Sequence, residues 1–183
     1  MTVPFVVVVG LFLGGAGSHG NGAQHPSASG SVLPPVPVSA PPSTDAATVS
    51  RCADVISELP LVLDGQAVRR TVSDPPSGSV QAWGEPAIVL RCGVSRPKDL
   101  VPGSDAQLFA FTPGGPYYDV TTQHGANVFT AVDRAVYIAV TVPSKYHSDP
   151  MPTVSRAIAK VLPAVCSTDP HEADPAKLCT RRP

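Results

Sequence analysis

Four cysteines, Cys52, Cys92, Cys166 and Cys179, constrain this 183-residue chain more than any other feature. An even cysteine count beyond an apolar start indicates an oxidising compartment and a disulfide framework. Four cysteines allow three pairings, and side-chain direction discriminates among them. In the run 87–92, Ile88, Leu90 and Cys92 fall on one face because a strand repeats every two residues. That apolar face should meet the helices, and Cys52 points inward from a helix of its own. A Cys52–Cys92 bridge would then tie helix to sheet, and Cys166–Cys179 would pin the tail to the second helix. The rival pairing is Cys52–Cys166 with Cys92–Cys179. No CxxC spacing supports zinc, so neither a metal nor a cofactor is expected.

The N-terminus reads Val3-Pro4-Phe5-Val6-Val7-Val8-Val9-Gly10-Leu11-Phe12-Leu13. This matches the length of a signal-peptide apolar region and falls short of the ~20 residues a spanning helix needs. No basic residue precedes it, so cleaved secretion (after Gly17) and an uncleaved anchor both fit. Residues 18–43 are rich in Ser, Gly and Pro and uncharged, a composition that cannot offset its own ordering entropy. We therefore expect a signal peptide or membrane anchor over 1–17, a disordered linker over 18–43 and one globular domain with a polar tail over 44–183. Asp45 is the single charge in the first 50 residues, and beyond it 13 acidic residues balance 13 basic ones. That balance gives no basic surface for nucleic acid.

The pattern predicts a helix capped by Ser43 or Thr44, with Asp45 in its first turn and an apolar face of Val49, Cys52, Ala53 and Ile56. Pro60 ends it. Strands are expected over 67–72, 80–83, 87–92, 107–112 and 117–122. A hairpin should join 127–132 to 136–142 through Asp133-Arg134. A second helix should start near Asp149-Pro150, with a stripe of Val154, Ala157, Ile158, Val161, Leu162 and Val165, and stop at Pro163. The fold class is α+β: a single small domain, a mostly antiparallel sheet with two helices on one face, disulfide-stapled.

No GxSxG elbow is present, and no GK[ST] follows Gly114-Gly115. His171-Glu172-Ala173-Asp174 is half of a zinc-helix motif without its second histidine. His19 and His25 lie in the linker, and His124 and His147 in turn-rich stretches. With no catalytic constellation, the leading reading is a non-enzymatic binding or accessory module. The alternative is an enzyme whose site is assembled from scattered polar residues. Alternation directs Arg91, Tyr137 and Thr141 away from the helices, with Arg69 joining them, as a binding face for an envelope protein or glycan. An ordinary solvated face is the plainer reading.

The block Trp83-Gly84-Glu85-Pro86-Ala87-Ile88-Val89-Leu90-Arg91-Cys92-Gly93-Val94 follows Arg69-Arg70 and precedes the run from Asp133 to Pro143. Together they resemble the domain of unknown function 3515 family of actinobacterial exported proteins, over most of residues 50–163. The resemblance implies a secreted or envelope-associated protein, attached if at all through its N-terminus, and brings no catalytic residue.

Overall fold

Strand alternation and two amphipathic helices assemble into two layers. The computed structural model describes residues 33–39, 43, 45–65, 67–73, 78–101, 108–167 and 179, all within one unit that begins at Leu33. The leader, residues 18–32, the histidines at 19 and 25 and the 171–174 motif lie outside the described residues.

The strands are β1 (Val36–Pro37), β2 (Val62–Leu63), β3 (Ala67–Arg70), β4 (Val72–Ser73), β5 (Val80–Trp83), β6 (Ile88–Cys92), β7 (Phe109–Ala110), β8 (Tyr117–Gln123), β9 (Ala126–Ala131) and β10 (Ile138–Pro143). Eight form one sheet in the order β2-β3-β5-β6-β10-β9-β8-β7, with every neighbouring pair antiparallel. The expected hairpin is β9–β10, with Ile138 opposite Ala131. A second hairpin, β8–β9, turns through His124 (φ 47°) and Gly125 (φ 75°). Two successive left-handed residues make a type I′ turn, whose twist matches the flanking strands.

Helices α1 (Ala46–Glu58) and α2 (Met151–Val161) contact each other on one face of the sheet. Asp45 is itself the N-cap of α1: its carboxylate accepts from the Thr48 amide at 2.9 Å, so neither Ser43 nor Thr44 is needed. The buried face of α1 is Cys52, Val55 and Leu59, with Ile56 half-buried, one step round from the expected face. Val49 and Ala53 are exposed. In α2 the stripe Val154, Ala157, Ile158 and Leu162 is buried, whereas Val165 lies beyond the helix and is exposed. These residues join Leu90, Ile138, Val140, Val142 and Trp83 in one core.

Both bridges have the sequence-derived pairing. Cys52–Cys92 joins α1 to β6 inside the core, and Cys166–Cys179 closes a short loop beyond α2. The spacer expectation ends earlier than 43. Val36 is buried, its amide donates to Thr71 O at 2.9 Å, and β1 pairs in parallel with β4. The expected 67–72 strand accordingly divides at Thr71, with β3 in the large sheet and β4 holding β1.

Candidate functional site

The Trp83-Gly84-Glu85-Pro86 block builds a corner of the fold. Trp83 is fully buried, and its Nε1 donates to Pro60 O at 3.0 Å, just past the end of α1. Arg69 holds its guanidinium 5.7 Å from the Trp83 ring and donates to Leu59 O at 2.6 Å. The pair thus satisfies carbonyls that a helix C-terminus leaves open. The register sets Arg69 opposite Trp83, so Arg69 lies on the helix side and not with Arg91. Arg70 turns the other way, donating to Gly84 O and Pro34 O and pairing with Glu85. Gly84 has φ +70°, and a Cβ there would collide with the Tyr146 hydroxyl. That hydroxyl accepts from the Glu85 amide at 3.0 Å, and Lys145 Nζ donates to Glu85 O at 2.6 Å. The block is therefore architectural in this chain, locking β5 to the end of β10 and to the incoming chain.

The face away from the helices is not left wholly to water. Register places Val80, Ala82, Val89, Arg91, Ala139, Thr141, Thr130 and Asp119 on it. Val80 and Ala82 are fully buried, and they stand outside the helix-side core together with Leu100, Val132 and Cys179. The described start of the β6–β7 connection supplies part of their cover, with Leu100 fully buried outside that core. The chain from β6 to β7 has to pass three strands, β10, β9 and β8, to reach the far edge. Asp99 of that connection lies near enough to Asp119 to raise its carboxyl pKa, adding to the larger effect of burial. Arg91, Tyr137 and Thr141 are consequently half-buried, and Arg91 has a partner within the fold. Alternation found the face correctly for Arg91 and Thr141. It could not foresee the crossing.

At the β7–β8 edge the surface is concave. Ala110, Phe111, Thr112, Pro113, Gly114, Gly115 and Tyr117 line an open depression of about 460 Å³. Within that lining Tyr117 is 38% exposed; Phe109, 49% exposed on the same edge, pairs with Tyr118 and so belongs to the opposite, helix-side face. The loop of the depression is held from behind by a buried charge pair at the expected hairpin turn. Asp133 Oδ1 accepts from the Tyr117 amide at 3.1 Å, and Arg134 Nη2 donates to Gly114 O at 3.1 Å. Burial raises the Asp133 pKa, and the neighbouring Arg134 partly offsets this. Behind the loop, the Tyr118 hydroxyl meets Ser155 Oγ at 3.0 Å, both fully buried. Burial pushes the Tyr118 phenol far above its ordinary value, so it stays protonated and serves as neither base nor nucleophile. In the sequence Asp133-Arg134 reads only as a turn, and Tyr117-Tyr118 beside Asp119 reads as a candidate site for which packing is the plainer account.

His124 and His147 are exposed at positive φ. Among the described residues no three His, Cys, Asp or Glu side chains gather to hold a metal, and no helix is long and apolar enough to cross a membrane.

The model of a protein family of unknown function, DUF3515, matches residues 1–166. The chain belongs to the DUF3515 family. The DUF3515 match takes in both helices, all ten strands and three of the four cysteines, ending at Cys166. No curated protein and no solved structure matches the chain.

Proposed function

We propose that this DUF3515 protein is an extracytoplasmic cell-envelope protein of an actinobacterium, secreted or held at the membrane by its N-terminal segment, whose domain is a non-enzymatic binding module. Compartment rests on the two disulfides, which use every cysteine, and on the apolar run at 3–13. The single observation that carries the binding reading is the β7–β8 edge, where Tyr117 stands exposed in the lining of the depression. An exposed aromatic ring in a concave, mixed polar and apolar surface suits a glycan or an envelope protein. By register Ala110 and Tyr117 share the sheet face of Arg91 and Thr141, so the proposed surface runs from the edge toward β10 and Tyr137. The test is a Tyr117→Ala variant, measured for retention on isolated envelope polysaccharide and on immobilised envelope proteins. Lost retention with an unchanged unfolding midpoint supports the reading. Full retention on both overturns it.

A further inference from the structure

The two disulfides stand in different surroundings. Cys52 and Cys92 are fully buried inside the helix-side core. Cys166 is half-buried, following the exposed stretch Pro163, Ala164 and Val165, with its sulfur 3.7 Å from Val132 O. Thiol exchange requires a thiolate to reach a sulfur, so access decides which bridge can react. Cys179 is only 4% exposed, which leaves Cys166 as the sulfur open to attack.

Cys179 also reaches beyond its own loop. Arg96 Nη2 donates to Leu100 O at 2.9 Å and to Cys179 O at 3.0 Å, and its Nε donates to Leu100 O at 3.3 Å. The Cys179 amide in turn donates to Ser167 O at 2.9 Å. Arg96 and Leu100 belong to the segment that crosses the sheet face, and Leu100 is fully buried. The disulfide thus holds Cys179 where its carbonyl grips the crossing segment through Arg96. Cys179 lies past the last residue matched by the family model, so this grip uses a residue the match does not include.

We propose that Cys166–Cys179 is a thiol-exchange site: a dithiol reductant opens it while Cys52–Cys92 stays closed, and its opening loosens the crossing segment over the sheet face. The reductant's thiolate bonds to Cys166 Sγ, and the Cys166–Cys179 bond breaks. Its electron pair leaves on Cys179, which takes a proton from water. The reductant's second thiol then attacks the mixed disulfide and expels Cys166 as a thiolate, which is protonated in turn. The protein gains two electrons and two protons, and the reductant becomes a disulfide. With the loop open, Arg96 keeps Leu100 O but no longer has Cys179 O held in place. The proposal does not need the binding reading, because its test measures thiols and cleavage and not retention.

The test uses the full oxidised chain, exposed to graded dithiothreitol without denaturant and then alkylated. Two adducts, on Cys166 and Cys179, are expected while Trp83 fluorescence stays native. Trypsin cleavage after Lys98 should then rise at least about tenfold, the change in local opening that one lost charge-assisted hydrogen bond gives. Arg96 precedes Pro97 and resists trypsin, so the Lys98 cut reports the segment cleanly. A Cys166→Ala/Cys179→Ala variant should show the same cleavage without reductant. If that variant does not fold, the reduced natural chain still carries the test. Four adducts appearing together would overturn the proposal, as would two adducts with unchanged cleavage after Lys98, or no adduct short of unfolding.

Discussion

Replacing Cys52 and Cys92 together by alanine tests the junction of helix and sheet. The bridge joins residues 40 apart in sequence. In the chain-entropy model, closing a loop of that size stabilises by about 4 kcal/mol. Both residues are fully buried, so removing the two sulfurs adds roughly 1 kcal/mol each for the space they leave. The expected loss is then about 5–6 kcal/mol, comparable with the whole stability of a marginal domain. Alanine is preferable to serine, which would add a buried hydroxyl. Trp83 is the single tryptophan, fully buried and bonded to Pro60 O beside the end of α1, so its emission reports this junction directly. Urea titrations read at Trp83 give the free energy by linear extrapolation. By the same model the Cys166–Cys179 loop, with a separation of 13, is worth about 3 kcal/mol. A loss under about 2 kcal/mol from the buried pair, or a larger loss from the outer one, would refute this account of what holds α1 to the sheet.

Asp133→Ala should cost about 3–5 kcal/mol, because it leaves Arg134 buried without its counter-charge; Asp133→Asn should cost clearly less, as urea midpoints would show. Asp119 has its folded-state pKa raised by burial and by Asp99. The folded state therefore holds a proton there that the unfolded state has released, and Asp119 adds stability as pH falls toward 3.8 from above. Asp119→Asn should flatten that part of the melting-temperature profile, and an unchanged profile would refute the assignment. Arg91→Ala should lower the unfolding free energy by about 1–2 kcal/mol, since its stem packs in a half-buried position and it has a partner in the fold. A neutral substitution would return Arg91 to the role of an exposed binding residue.

Alternation was the readable signal. Ile88, Leu90 and Cys92 in β6 and Ile138, Val140 and Val142 in β10 all face the helices, and this direction yielded the correct disulfide from sequence. Short elements carried no such signal. Two-residue strands such as β1 and β2 have no period to read, and they exist because a neighbour offers a ladder edge. The face of α1 was misjudged because Val49 and Ala53 fit the period as well as Val55 and Leu59 do, and only packing separates them. The candidate site was least legible. Tyr117, Gly114 and the Asp133–Arg134 pair meet through contacts distant in sequence, which no local pattern encodes.

The strand order divides the chain into mirror-like halves. α1 is followed by the run β2-β3-β5-β6, and β7-β8-β9-β10 is followed by α2. Within each half every sheet contact joins strands that follow one another closely, with β4 set aside to hold β1. In the large sheet the halves meet where β6 pairs with β10, with the two helices in contact on the same side and Lys160 reaching Glu58 at 2.7 Å. Folding should follow this economy of contacts: local meanders form quickly, and the long-range seam is the slow step. The same division makes the protein a natural candidate for splitting. Two separately expressed fragments, parted between β6 and β7, would each contain a helix and four strands of the large sheet. Their reassembly would have to rebuild the β6–β10 ladder, the helix contact, the Glu85 corner with Tyr146 and Lys145, and the Arg96 bond to Cys179.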